Sequence, residues 1–351
     1  MKKIIKRLVP KFVKRYIANR KERKRLVAEI ENTISKFEPQ LRDCDLVNKK
    51  QQILCDCNEF KCTPLEWYLF NFDIRTEEEK KEYLPDYYKN EWSVGTDLKL
   101  YWELTDKYWF YNKNKEFFKR KAIQLDQNTN FEEFATFCKD CGTVFIKPLS
   151  AAFGYNTFKY QYNDTDIKET YDKLVLDRNS YKSSSLTKYG FIVEELIKQT
   201  EHLGIFNESS VNTVRIPSIL TSKGHYVLGC FFRTGRKGAV IDNAGGGGIF
   251  AALDDETGVA ITDGFDEFCN SYAVHPDSGV AYKGFKIKDW KVLIEITKKA
   301  HENMPNHKYI AYDFAHTDNG WVMLEGNFGQ FIGQFATKKG LKSKFRSLMF
   351  D

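Results

Sequence analysis

Tyr312–Asn327 reads YDFAHTDNGWVMLEGN, two apolar runs separated by a polar turn. Asp318-Asn319-Gly320 carries hairpin chemistry, because glycine enters the left-handed backbone region without steric cost. If these three residues form the loop, Thr317 pairs with Trp321 and Asp313 falls opposite Glu325. Glu325 and Asn327 are two apart and share one face of their strand. Two carboxylates and an amide oxygen then meet on one spot of an otherwise apolar sheet. Uncompensated carboxylates there are costly. A hard divalent cation removes that cost, and oxygen ligands with water positions left over suit Mg²⁺. The bland alternative is a pair of edge-strand acids facing water.

The hairpin closes a β-rich stretch. VFIK at 144–147 has the pattern of a buried strand, FKYQYN at 158–163 alternates, and FIVEELI at 191–197, VRIPSIL at 214–220 and HYVLGCFFR at 225–233 follow as further strand-like runs. A helix is expected around 288–304, with Trp290, Leu293, Ile296 and Ala300 on one side. LYWELTDKYWFYNKNKEFF at 100–118 reads as helical. Residues 26 to about 100 read as mostly helical and irregular, with TEEEKKEY at 76–83 as a solvated helix face.

Basic side chains fall at useful places. Lys147 ends the VFIKP strand, ahead of the small-residue stretch SAAFGYN at 150–156. A lysine there meets phosphate oxygens as a point charge, while Gly154 lets the backbone fold over them. Arg215 and Arg233, near strand ends, can clamp a carboxylate or a phosphate. Gly245–Gly248 permit close backbone approach to a ligand; a surface loop is the plainer reading.

Composition bounds the rest. A chain of 351 residues suits two or three packed lobes, and 42% hydrophobic with 29% charged residues excludes a disordered chain. No run of about 18 apolar residues exists to span a membrane, and the charged N-terminus lacks the apolar stretch of a secretory signal. A cytoplasmic location is expected. The eight cysteines then read as reduced. Cys44, Cys55, Cys57 and Cys62 could hold structural zinc, but Leu54, Phe60, Trp67, Tyr68 and Phe70 around them read as helix packing. The Cys138–Cys141 pair also reads as packing. The net charge of +6 hides an arm: residues 1–25 carry +11 and the remainder −5. Ile4, Ile5, Leu8, Val9, Phe12, Val13, Tyr16 and Ile17 recur at near-helical spacing between those cations. Such an arm lies on anionic lipid at the inner face of the membrane, or docks its stripe on the protein itself. No nucleic-acid reader module accompanies it, so no nucleic-acid partner is expected.

The Asp…Glu-x-Asn arrangement of Asp313, Glu325 and Asn327 resembles the Mg²⁺ signature of ATP-grasp ligases such as D-alanine–D-alanine ligase. SSVNTVRIPSIL (209–220), AVIDNAGGGGIFAAL (239–253) and YDFAHTDNGWVMLEGNFGQ (312–330) are similar to the central blocks of the sugar-transfer-associated ATP-grasp proteins, found with surface-polysaccharide synthesis. The similarity runs from about residue 50 to 335. It implies that Asp313 and Glu325 bind Mg²⁺, with Glu325 bridging two ions and Asn327 completing the second site. It also implies that Lys107, in the Asp106-Lys107 pair, and Lys147 hold ATP phosphates. FIVEELI would be the linker whose backbone reads the adenine edge, with Glu194 and Leu196 flanking the base, Glu195 between them and Glu201 a looser candidate for the ribose; Glu194 and Glu195 as solvent-facing strand ends is the plainer reading. Asn212, Arg215, Arg233, Asp242 and Asn243 would belong to the active cleft. One departure stands out: dipeptide ligases have an arginine two residues before the metal-binding Asp, and here that position is Ala311.

The expected fold is therefore α/β (α+β) of the ATP-grasp type, with a basic arm at 1–25, a helical region at 26–100 and a catalytic region at 101–351 whose antiparallel lid spans about 139–195. The expected activity is an ATP- and Mg²⁺-dependent ligase joining a small-molecule carboxylate, a sugar acid or an amino acid, to an amine through an acyl phosphate. A kinase on the same fold and a non-catalytic membrane-bound adaptor are the rivals; an intact Asp-Glu-Asn set argues against the latter.

Overall fold

The computed structural model describes residues 11–88, 97–126, 128–150, 156–180, 190–239, 241–242, 247–328 and 332–350, with backbone alone at 11–20, 98, 177–180 and 332. Residues 1–10 of the basic arm, Gly154 and Asn243 lie outside the described residues. The chain divides into two compact units, residues 1–87 and 88–351. Among the described residues no helix is long and apolar enough to cross a membrane.

In the first unit, helices Lys11–Phe37, Asp43–Phe60 and Pro64–Leu69 close on Ile30, Ile34, Ile53, Trp67 and Phe72. Thr63 and Thr76 each start a helix with a reciprocal capping box, to Glu66 and Glu79. The TEEEKKEY run holds helix Glu77–Lys81, but it is not only a solvated face: Lys80 and Tyr83 are buried. Asp56, buried in this unit, accepts from Trp67 Nε1 at 2.7 Å and Lys80 Nζ at 2.8 Å, the satisfied geometry that a buried charge requires. Cys57 and Cys62 are buried while Cys44 and Cys55 are exposed.

The second unit holds two antiparallel sheets. The smaller contains β1 (Ala122–Leu125), β2 (Thr143–Pro148), β3 (Phe158–Gln161) and β4 (Phe191–Glu195) in the order β1-β4-β2-β3. Alternation along β2 sends Val144 and Ile146 into a core with Phe134 and Cys138 of helix Phe131–Cys141. Phe145 and Lys147 are left for the opposite face. Along β4, Phe191 and Val193 join that core and Ile192 joins the core of the larger sheet.

The larger sheet is built from β5 (Thr213–Thr221), β6 (Gly224–Val227), β7 (Phe231–Thr234), β8 (Ile249–Ala252), β9 (Gly264–Phe265), β10 (Ser271–Tyr272), β11 (Tyr309–Thr317) and β12 (Gly320–Asn327). Its order is β10-β9-β8-β7-β5-β11-β12, with β6 also paired to β5. HYVLGCFFR is therefore not one strand. Asp255 accepts the amides of Gly229 at 3.0 Å and Cys230 at 2.8 Å, and Gly229 has φ +78°, which breaks the run between β6 and β7. Helix Trp290–Glu302 packs on β5 through Leu293 and Ala300.

The hairpin tip differs from expectation by one residue. Thr317 pairs with Gly320, not Trp321, and its hydroxyl donates to the Gly320 carbonyl at 2.9 Å while accepting the Asn319 amide at 3.2 Å. Only Asp318 and Asn319 form the tip. The ladder continues to Phe314↔Met323, then shifts, and Asp313 pairs with Glu325. Leu324 is the extra residue of a β-bulge, and the bulge returns Asp313 and Glu325 to opposite positions.

Candidate active site

A cleft of about 490 Å³ opens between the two sheets of the second unit. Phe145, Lys147, Lys159, Glu194 and Glu195 come from the smaller sheet, Leu196 and Ile197 from the crossover, and Val211, Ile241, Asp242 and Leu324 from the larger sheet side, with Arg120 completing the lining. Phe145, Leu196, Ile197, Val211, Ile241 and Leu324 give it apolar walls fit for a flat ring. Its other end is charged. Lys147 Nζ lies 2.6 Å from Glu194 Oε2, and Arg120 holds the other oxygen of that carboxylate at 2.5 Å. Burial alone raises the pKa of Glu194, but Arg120 and Lys147 outweigh it and hold the group below the usual carboxylate range.

Lys107 opens helix Lys107–Lys113. Asp106 caps that helix through the amides of Tyr108 and Trp109, at 3.2 and 3.1 Å. The Lys107 amide donates to the Leu149 carbonyl at 3.2 Å, which ties the helix start to the end of β2. Burial depresses the Lys107 pKa, with Glu325 the strongest charge acting against that and Lys147 acting with it. Lys107 thus stands in the field of both Lys147 and the hairpin acid.

On the larger sheet Asp313 is buried among cations. Arg215 on β5 grips it with both ends of its fork, Nε to Oδ1 and Nη2 to Oδ2, each at 2.6 Å, and Arg233 on β7 adds a contact at 2.8 Å. Burial would raise the Asp313 pKa; Arg215 and Arg233 overcome it and lower the value. Asn327 Nδ2 lies 3.3 Å from Asp313 and 3.1 Å from Glu325, so the three side chains form one group. Among the described residues no group of three or more His, Cys, Asp or Glu gathers as a metal site; this group has two carboxylates and an amide. Asn327 turns its nitrogen toward both carboxylates, and with that amide reversed the group would offer hard oxygens alone, a set that suits Mg²⁺ chemically, with the Asp313 carboxylate shared with its arginines.

Arg233 also donates to Thr213 Oγ1 from Nε at 3.0 Å and Nη2 at 2.8 Å, and lies 3.6 Å from Asp242. Burial pushes the Asp242 pKa up against the pull of Arg233. Asp242 lines the cleft. Three residues take other places. Asn212 is buried, and its side-chain amide donates to Gln199, Leu203 and Asn207 oxygens while its oxygen accepts the Gly235 amide. Both ends of that amide serve the protein, so Asn212 fastens loops. Glu201 is exposed at the start of helix Glu201–Gly204 and is absent from the cleft lining. The Leu196 amide is occupied by the Thr143 carbonyl at 3.2 Å. The next residue, Ile197, lines the cleft with no partner for its amide among the described residues. Sequence reading did not single out Arg120, Thr213 or Ile197; Arg120 sits in FFKRKAI, where nothing sets it apart from its neighbours.

A family model described as sugar-transfer associated ATP-grasp matches residues 101–349. Among solved structures, the chain is similar to D-alanyl-alanine synthetase A from Vibrio cholerae O1 biovar eltor (11% identity, 74% of this chain and 64% of that one, TM-score 0.43). It is also similar to the ATP-grasp ligase PsnB complexed with minimal precursor (11%, 70% and 59%, 0.41) and to D-alanine–D-alanine ligase from Bacillus anthracis (10%, 69% and 63%, 0.39). The chain spans less than two thirds of the length of each of these three. A search of curated protein sequences finds no match.

Proposed function

The chain belongs to the sugar-transfer associated ATP-grasp family, and on that premise we propose that it is an ATP-dependent ligase that converts a carboxylate to an acyl phosphate for capture by an amine. The observation that carries the reading is the gathering of lysines and oxygen donors around one cleft. Lys147, Glu194 and Asp242 line it, Arg233 lies 3.6 Å from Asp242 and joins it to the Asp313–Glu325–Asn327 group, and Lys107 stands in the field of Glu325 and Lys147. The apolar walls and the Ile197 amide support adenine binding there, and the lysines support phosphate binding. Asp313, Glu325 and Asn327 would hold Mg²⁺, which supplies neutralisation of phosphate charge when bound. Asp242, which lines the cleft, and Arg233, 3.6 Å from it, would meet the acid and the amine.

In that reaction a carboxylate oxygen attacks the γ-phosphorus and ADP leaves. The amine nitrogen then attacks the acyl carbon, phosphate departs and the amine loses a proton. Lys147 lowers the repulsion between two anions in the first step. A sugar acid or a small amino acid is the proposed substrate class, in cell-envelope or surface-polysaccharide modification. The +11 arm of residues 1–25 is proposed to bring the enzyme to an anionic membrane surface; loss of salt-sensitive vesicle binding on its deletion is the check.

Hydroxylamine added with ATP, Mg²⁺ and candidate acids should yield a hydroxamate, and Lys147→Ala should suppress it. Acid-dependent ADP release that accumulates a stable phosphate ester, with no hydroxamate or amide, replaces the ligase with a kinase. Absence of any nucleotide turnover or binding favours an adaptor.

A further inference from the structure

Arg120 links two parts of the cleft that the phosphate lysines do not. It stands just ahead of β1, where the chain passes into the smaller sheet. One guanidinium nitrogen, Nη1, donates to the Met323 carbonyl on β12 at 2.6 Å, two residues before Glu325. The other, Nη2, holds Glu194 Oε1 on β4. Glu194 Oε2 in turn holds Lys147 on β2 at 2.6 Å. A hydrogen-bonded chain thus runs from the acid-bearing hairpin through Arg120 and Glu194 to Lys147. The neighbouring backbone is fastened as well: the Glu195 amide donates to the Lys121 carbonyl at 2.9 Å.

Two cations on one buried carboxylate is more than neutralisation requires. The side chains of Glu194 and Arg120 are 3% and 6% exposed, while that of Lys147 is 13% exposed, so Lys147 is the least enclosed of the three. Arg120 is also anchored at a second point and Lys147 Nζ is a single charge on a flexible stem. An arriving polyphosphate therefore draws Lys147 away first. Glu194 then keeps Arg120 as its counterion and is not stranded as a lone buried charge. The buried Nε of Arg120 has no acceptor among the described residues, which leaves the guanidinium a spare donor during that exchange.

We propose that Arg120 is a positioning residue whose retained pairing with Glu194 frees Lys147 to transfer from Glu194 to the nucleotide's phosphates. This rests on the nucleotide-binding reading above. Without Arg120, Lys147 is the sole cation paired with Glu194 among the described residues, and moving it leaves a buried carboxylate without that counter-charge.

The test is calorimetric titration of the full chain with Mg²⁺ and AMP-PNP, and separately with adenosine. Arg120→Met should weaken AMP-PNP binding by roughly tenfold or more, the scale at which one lost charge partner registers, and leave adenosine binding within about twofold. Adding Glu194→Gln to that variant should restore most of the AMP-PNP affinity, because a neutral amide strands no charge. Arg120→Lys, which keeps a cation beside Glu194 but loses the fork to Met323, should bind AMP-PNP nearly as the parent does. Equal weakening for both ligands, no effect, or failure of Glu194→Gln to rescue overturns the proposal and leaves nucleotide binding standing. A parent chain that binds neither ligand overturns the nucleotide reading itself and this proposal with it.

Discussion

Arg215 and Asp313 are partnered twice, once as register neighbours on β5 and β11 and once as a bidentate ion pair with both contacts at 2.6 Å. The backbone ladder fixes the distance between their Cα atoms, so the side chains meet with little loss of freedom. The pair is also buried, with Arg215 5% and Asp313 1% exposed. Arg215 is therefore committed to the acid on the neighbouring strand, and Arg233, with more exposure, is the better placed to meet a ligand.

Breaking that pair should be expensive. Arg215→Met leaves Asp313 with Arg233 alone, and the unfolding free energy should fall by about 3 kcal/mol, the lower end for a broken buried pair. Arg215→Lys should recover only part, since one ammonium cannot span both oxygens. Urea denaturation of the three proteins decides it. A loss below about 1 kcal/mol, the value of a surface pair, would show that the interaction is not as enclosed as its geometry indicates.

Glu325 is less enclosed and makes no contact on which the core depends. Glu325→Ala should keep its thermal transition within a few degrees while Mg²⁺-dependent nucleotide binding disappears. Undiminished Mg-AMP-PNP affinity by calorimetry in that variant removes Glu325 from the metal-binding role.

Acid should destabilise the second unit in two stages. His301 is neutral in the fold, where burial holds its pKa at about 3 against an ordinary 6.5. The unfolded chain takes up a proton there as pH falls below 6.5 and the folded chain does not, so stability declines across that window. Asp313 and Glu194 have folded values below the ordinary carboxylate range. Their contribution is complete above that range and is lost as pH falls through the folded values. Denaturation series from pH 7.5 to 4 should show the first decline, and His301→Gln should lessen its slope without abolishing it, because burial also lowers the pKa values of His202, His225, His275, His307 and His316. A variant with the parent's slope would assign that decline to other groups.

Gly326 sits between Glu325 and Asn327, and a Cβ there would lie 2.4 Å from Phe110 Cζ. Phe110 belongs to the helix that Lys107 opens. Gly326→Ala should cost about 1–3 kcal/mol as overpacking, and should weaken AMP-PNP binding because the displaced helix carries Lys107 with it. Phe110→Leu in the same chain should recover part of both. Full affinity in the Gly326→Ala protein would show that the helix absorbs the methyl group without moving.

The larger features were legible because they are local. Apolar strand patterns mark β2, β3, β4 and the hairpin strands, and the Asp-Glu-Asn spacing points to the grouping of Asp313, Glu325 and Asn327, although a two-residue tip and the bulge at Leu324 deliver it in place of the expected three-residue tip. What escaped depends on distant partners. Asn212 looks like any polar residue before a strand until the Leu203 and Asn207 carbonyls close on it. The break between β6 and β7 is made by Asp255, some 25 residues away. Arg120 gains its meaning from Met323 and Glu194, which lie 203 and 74 positions further along. β1, four mostly half-buried residues, carries no periodic pattern to read.

The bulge at Leu324 means that the hairpin has one residue of slack and that its location is a choice. A three-residue tip with an unbroken ladder and a two-residue tip with Leu324 looped out both bring Asp313 against Glu325. Between those points, from Phe314 to Met323, the strands can differ by a full step of register with the acids undisturbed. The observed arrangement seats Trp321 against His316, ring centroids 4.9 Å apart, with its indole N–H on the Lys288 carbonyl at 3.1 Å. Packing at the far end of the hairpin thus sets the tip, while the end that bears the acids tolerates either solution. Single-residue deletions at the tip, ruinous in most hairpins, can be absorbed here by letting the bulge heal.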